Sequence, residues 1–286
     1  MATAIFGLIL DGRNTPGFRS FGSTLSAQLG AMLTRVPQSG DIDWETVNGN
    51  SLGTVVGSEV YRFNDALQAT HPIFIKIGYG FGSSGNAVHL SATIGKSADG
   101  AGNIGGVLMS IVKVCNHADG AATPTNSYIS YGSSWFALSL GTLINSCGGV
   151  FVIERSLTSN GTPNGNTLLV GFQERNTSTP EFRYIDYANA TSEAIVGGIV
   201  AIPMPLSTDR SIANGTTCPV FPAACISPSG VFWRPRVILG TARQNAGLGE
   251  VIQGLLDGNS YLSLGAGSQK SDQRNGAFAT TLIRWN

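Results

Sequence analysis

The 286-residue chain carries 17 Lys and Arg against 17 Asp and Glu, so charged residues make up only 12% of it, where about 25% is usual. This balance excludes a protein that works by electrostatic attraction to nucleic acid or an anionic membrane, and a surface so poor in charge points to faces covered by other subunits. Gly is abundant, no stretch approaches the roughly 20 apolar residues of a spanning helix, and the opening MATAIFGLIL lacks the basic segment of a secretory signal.

The first predicted element is a helix. Phe18, Phe21, Leu25, Leu29, Met32 and Val36 recur at steps of three and four, and Pro37 stops the run. Further on, Tyr61 and Phe63 finish a strand, Asn64-Asp65 makes a turn or caps a short helix through Ala69, and Pro72 starts the next strand. Ile73, Ile75, Ile77 and Tyr79 then alternate with polar or small residues, as do Val88, Leu90, Ala92 and Ile94. Other strands are expected over 107–115, 134–140, 150–156, 167–174, 181–187, 231–239 and 278–285. A second, weaker helical pattern is Leu248, Val251, Ile252, Leu255 and Leu256, ended by Asp257-Gly258.

Turn clusters such as SADGAGNIGG, TSNGTPNGN and STDRSIANGTT separate these elements. No fixed-period repeat appears, which argues against a solenoid or propeller. The expected fold is mainly β, antiparallel and sandwich-like, with an N-terminal α+β part carrying one amphipathic helix. A division near 116–127 would give residues 1–116 and a β-rich part, 117–286, unless the chain is one continuous domain. Loops 97–106 and 158–166 are expected to become fixed when a neighbouring subunit covers them.

Two phosphate-binding signatures coincide in GYGFGSSGNAVHLSATIGKS, residues 78–97. Gly80, Gly82 and Gly85 fit G-x-G-x-x-G, which works by turning a strand into a helix whose amides receive a pyrophosphate. The residues that follow, AVHLSATIG, alternate instead, so the glycines join two antiparallel strands. Gly95-Lys96-Ser97 has the look of a P-loop ending, but Leu90 stands where that motif needs its first glycine. No cofactor is expected.

Nor is a metal. His71, His89 and His117 are well separated, no H-E-x-x-H exists, and Cys115 with His117 on one strand face supplies only two ligands. Cys115, Cys147, Cys218 and Cys225 have irregular spacing and read as free thiols, although Cys218 and Cys225 could close a small loop.

No G-x-S-x-G elbow is present. Asp41, Asp43 and Glu45 cluster after the helix, and Glu154, Glu174, Glu181 and Asp186 are scattered over strands. Paired carboxylates could make a glycosidase; the plainer expectation has them solvated or paired with Arg155, Arg175 and Arg183. Trp135, Trp233 and Trp285 sit in apolar strand contexts that suit a core better than a sugar-stacking platform. The expectation is a protein without catalytic, cofactor-binding or metal-binding residues.

One segment adds a different kind of signal. EVYRFNDALQATHPIFIKIGYG (59–80), with SADGAGNIGG at 97–106, resembles structural proteins of tailed bacteriophages. VIERS (152–156) is similar to the same group, as is the ending in which YLSLG (261–265) leads through a polar loop to AFATTLIRWN. The resemblance transfers no catalytic motif. It implies a virion protein assembled in the host cytoplasm, with itself and other virion proteins as partners, and neither nucleic-acid binding nor membrane insertion. Its first placement is the tail (baseplate, tail tip or fibre) as a homo-oligomer; the alternative is a capsid decoration or head-fibre protein. From other classes come a receptor- or glycan-binding module at the host surface and, more distantly, a cell-surface hydrolase.

Overall fold

The computed structural model describes residues 1–8, 15–48, 55–81, 88–116, 125–132, 134–140, 150–158, 160–173, 181–194, 200–201, 220–226, 232–233, 238–241, 251–253, 258–263 and 280–285. The fold is mainly β, with antiparallel sheets and one N-terminal helix among the described residues. Strand β1 (Ala2–Leu8) is followed by helix α1 (Thr15–Met32), and then by β2 (Thr34–Arg35), β3 (Val55–Arg62), β4 (Phe74–Phe81), β5 (Val88–Ala98) and β6 (Ile104–Asn116). Strands β2 to β6 form a five-stranded meander in chain order.

Strands β7 (Thr125–Gly132), β8 (Trp135–Ser139), β9 (Val150–Leu157), β10 (Pro163–Gln173), β11 (Glu181–Asp186) and β12 (Thr191–Ala194) form a second meander. Strand β1 completes it as a seventh strand, pairing with β7 from Ala2↔Tyr131 to Leu8↔Thr125. The third sheet contains β13 (Val200–Ala201), β14 (Val220–Ile226), β15 (Phe232–Trp233), β16 (Ile238–Thr241), β17 (Val251–Gln253), β18 (Ser260–Ser263) and β19 (Thr280–Arg284).

The layering follows from which faces are apolar. In β4, Ile75, Ile77, Tyr79 and Phe81 are buried at every second position, and in β5 so are Val88, Leu90, Ala92 and Ile94. Strands with one apolar face cover one core. Strands β8 and β9 differ, because consecutive residues are buried on both. Phe136, Leu138, Phe151 and Ile153 join the helix and the five-stranded sheet in one core; Trp135, Ala137 and Val152 turn the other way, toward Leu262, Ile283 and Trp285. The seven-stranded sheet is therefore a middle layer. On one side lie α1 and the five-stranded sheet, and on the other lie β18 and β19.

Helix α1 forms where the 3.6-residue period places Phe18, Phe21, Leu25 and Leu29 on one buried face. Each such side chain contributes about 1.5–3 kcal/mol on burial. The helix stops at Met32 rather than at Pro37. Thr34 and Val36 are β-branched and weak helix formers, and β3 captures this stretch: Thr34 pairs with Arg62, and the Val36 N–H donates to the Val60 carbonyl at 2.8 Å.

Two glycines of α1 give opposite predictions. A Cβ on Gly30 would meet nothing within 4 Å, whereas one on Gly22 would stand 1.8 Å from the Trp44 ring. Gly30→Ala is expected to stabilise by about 0.8–1 kcal/mol through helix propensity. Gly22→Ala is expected to destabilise by about 1–3 kcal/mol, because it overpacks against a ring held on its far side. Urea denaturation of the two variants checks the change of sign.

One expectation is corrected. The helical pattern around Leu248–Leu256 gives way to β17, in which Val251 and Ile252 pair with Leu262 and Tyr261 of β18. Gly258, at φ 66°, supplies a left-handed turn position before β18. Of the strand expected over 231–239 the structure describes β15 and the start of β16, and residues 234–237 lie outside the described residues. The β1–β7 pairing, and a core that takes Phe18 and Ile94 from before residue 116 and Phe136 and Leu168 from after it, join the stretches on either side of 116/117.

Candidate functional site

Strand β3 carries the most buried carboxylate of the helix-bearing half. Glu59 is 0% exposed, on the same face as Tyr61. Its Oε1 accepts from Ser26 Oγ of α1 at 2.8 Å and from Trp44 Nε1 at 3.3 Å, and forms a salt bridge with Arg35 Nη2 at 3.0 Å. Its Oε2 accepts from the hydroxyls of Tyr61, at 2.6 Å, and Tyr79, at 2.9 Å. Trp44 meets Tyr79 edge-on at 4.8 Å, and Phe18 stacks on Phe81 at 4.3 Å. Four hydrogen-bond donors and one guanidinium, from five segments, thus converge on one carboxylate. Such a group is fully engaged as an acceptor, which suits a tie between layers and not a proton-transfer residue that must reach substrate.

Burial, foremost, and the nearby charge of Glu59 push the Tyr61 hydroxyl up, and burial pushes Tyr79 well up too. Tyrosines of the unfolded chain ionise near pH 10, whereas these two stay neutral in the fold. Their contribution is complete below that pH and is lost as pH rises through it, by about 1.4 kcal/mol per pH unit for each tyrosine. Urea titrations between pH 9 and 11 are expected to show this decline. Tyr61→Phe should make it shallower.

The second cluster is built by the segment between β3 and β4. Phe63 N–H donates to the Ile73 carbonyl at 3.3 Å and Gln68 Oε1 accepts from Ile73 N–H at 3.0 Å, closing a loop around the 3-10 turn Ala66–Ala69. Asp65 precedes that turn, yet its side chain makes no capping bond. Instead its carboxylate receives Arg155 of β9 as a fork, Nε at 2.5 Å and Nη2 at 3.2 Å. Arg155 Nη2 also donates to the His71 carbonyl at 2.9 Å, and its guanidinium lies 5.8 Å from the centre of the Phe63 ring. The Arg155 side chain is 0% exposed and that of Asp65 4%.

Two further bonds fasten the same loop to the middle sheet. Tyr131 of β7 accepts from Asn64 N–H at 2.8 Å, and Tyr187, just after β11, donates to the Pro72 carbonyl at 2.9 Å. The His71 ring stands edge-on to Tyr187 at 5.3 Å and lies where a Cβ on Gly165 would have to sit. The carboxylates singled out in the sequence are expected to be solvated or paired with Arg155, Arg175 and Arg183, and the fork on Arg155 comes from a different one. Its partner is Asp65, 90 residues earlier, carried into the interior beside β9 by the loop.

The remaining candidates fall into place individually. Gly80 pairs with His89 and Phe81 with Val88, so a strand follows the glycines where a dinucleotide site needs a helix; Gly82 and Gly85 lie outside the described residues. Lys96 belongs to β5, donates to the Ala188 carbonyl at 3.3 Å and stands 4.8 Å over the Tyr187 ring. Asp41 accepts from Arg35 at 3.3 Å and from Gln38 N–H at 3.1 Å. Asp43 accepts from Thr46 Oγ1 and Glu45 N–H, and these bonds hold its carboxyl below the usual range. Asp186 similarly accepts from Ala188 and Asn189 and orders a turn.

Glu154 is buried on β9, and Trp135 and Trp285 are core residues of the outer cluster. Among the described residues no three His, Cys, Asp or Glu side chains stand together as a metal site requires. His117, Glu174, Arg175, Cys147 and Cys218 lie outside the described residues, and so do the side chains of Cys115, Glu181, Cys225 and Trp233.

Loop 97–106 takes its hold from within the chain. Asp99 Oδ1 accepts from Ala101 and Asn103 N–H, Ser39 N–H donates to the Gly100 carbonyl at 2.8 Å, and Gly102 N–H donates to Gln38 Oε1 at 3.0 Å. Gly102 sits at φ 90°, a position closed to other residues without strain. The 158–166 turn is closed by Thr158 N–H donating to Thr162 and by a bond between their hydroxyls.

No protein-family model matches the chain, and comparison with curated proteins finds no match.

Proposed function

We propose that the protein is a non-enzymatic structural component of a tailed-phage virion, placed in the tail (baseplate, tail tip or fibre) and assembled as a homo-oligomer with other virion proteins. The observation that carries this reading is the use made of the resembling segments. Asp65 of RFNDALQA and Arg155 of VIERS neutralise each other in the interior, and Glu59, at the start of the first segment, is engaged by four hydrogen-bond donors and the Arg35 guanidinium. A motif kept for chemistry would hold such groups open to a substrate. Here they fasten one layer to the next. The low charge of the chain supports the same reading, since faces covered in an assembly need little charge.

Mass spectrometry of purified virions is expected to find the protein in amounts comparable with other tail components. Its absence there overturns the reading. Labelled antibody on intact particles is expected at the tail; label on the head would make it a decoration or head-fibre protein. Binding of the isolated protein to host cells would favour a receptor- or glycan-binding module.

A further inference from the structure

We propose that strand β1 is the edge by which the protein joins a second copy of itself, antiparallel and strand to strand, so that two seven-stranded sheets become one. This rests on the homo-oligomeric reading above and names its surface.

The five-stranded sheet and the sheet of β1 with β7–β12 present four edge strands between them. An edge strand offers a row of backbone donors and acceptors to any other chain, and folded proteins blunt such edges by shortness, charge, proline or bulges. Three of the four are blunted. Strand β2 has two residues, one of them Arg35. Strand β12 has four and includes Glu193. Strand β6 is long, but its register with β5 shifts twice, Gly106 lies at φ 56°, and its sequence includes Lys113.

Strand β1 has none of these devices. Its seven residues, ATAIFGL, include no charge and no proline, and its register with β7 is unbroken over all seven pairs. Among the described residues no strand lies on its other side. Ile5 points away from the larger core and is 54% exposed, while its neighbours Phe6 and Leu8 are buried. Charge decides the occupant. An acidic or basic segment finds nothing complementary on β1, whereas a second β1 is equally neutral and brings no like charges together across a two-fold axis. That axis also turns the strands antiparallel, the arrangement of the rest of the sheet.

The test uses the full-length protein. Sedimentation equilibrium is expected to show a concentration-dependent dimer, and Ile5→Lys, which sets two ammonium groups near the axis, is expected to weaken it by at least about tenfold. Amide exchange of residues 2–8 in the unaltered protein is expected to slow as concentration rises. That second measurement decides the matter even if the variant folds poorly. Self-association with unchanged exchange at β1 would overturn the assignment and leave the homo-oligomer standing. A monomer at every concentration, free and within assembled particles, would overturn both.

Discussion

Arg155→Ala is expected to lower folding stability by about 3–5 kcal/mol, the range for removing one partner of a buried ion pair. The loss is large because of what stays behind. Asp65, with its side chain 4% exposed, would keep a charge without its fork of donors, and the His71 carbonyl would lose the Nη2 bond. Packing over the Phe63 ring would go too. Asp65→Ala should cost a similar amount, since it leaves the guanidinium in the interior. The double variant should cost clearly less than the sum of the two, because neither charge is then stranded. Arg155→Lys should recover little, as a point charge cannot match a two-pronged carboxylate contact. Urea denaturation of all four proteins gives the cycle, and amide exchange across residues 63–73 should quicken in each single variant. Losses below about 1 kcal/mol would mean that the pair is solvated and the clamp unimportant.

This ion pair also shows where sequence reasoning stops. The alternation of Ile75, Ile77 and Tyr79 and of Val88, Leu90 and Ala92 was legible because strand periodicity is local. So were the strands SWFALSL and VFVIERS, but their meaning was not. Runs buried on both faces announce a middle layer only once something is known to cover each face. Strand β1, ATAIFGL, carries no alternation of polar and apolar residues, and its partner β7 is 117 residues away even at the nearest pair, Leu8↔Thr125, so neither could be read. Val251 and Ile252 suited a helix by spacing; pairing with β18 overrode it.

Asp65 looked like a cap because it stands before a short helical turn, and capping is judged from neighbours in sequence. What pulled it away was Arg155, which no local rule could bring near. Signals for the Glu59 cluster did exist. A polar Ser26 lies four residues after Gly22 on the buried face of α1, and Glu59 stands between Val60 and Tyr61 on one side and Val55 and Val56 on the other in strand β3. A charged residue at a core position demands partners, and that demand could have been stated before the partners were known.

Glu59→Leu is expected to destabilise by about 3–5 kcal/mol, although it places an apolar side chain in an apolar layer. Transfer energy favours leucine, and the hydrogen bonds decide against it. Two tyrosine hydroxyls and Ser26 Oγ, all buried, would lose their acceptor, and each orphaned group costs about 1–3 kcal/mol. Arg35 loses less, because its side chain is 41% exposed and keeps Asp41. Glu59→Gln should fall in between. Its oxygen can serve Ser26, Trp44 and Arg35, and its amide can donate to hydroxyls that rotate to accept, so the charge goes while most bonds are rebuilt. The discriminating variant combines Glu59→Leu with Tyr61→Phe and Tyr79→Phe. Removing the stranded donors should restore part of what Glu59→Leu lost, since deleting both sides of a buried bond is far cheaper than deleting one. Urea midpoints at constant m-value measure the series. If the triple variant is weaker than Glu59→Leu by the full cost of two further deletions, the hydroxyls are held by packing and the carboxylate is not what ties helix, loop and sheet together.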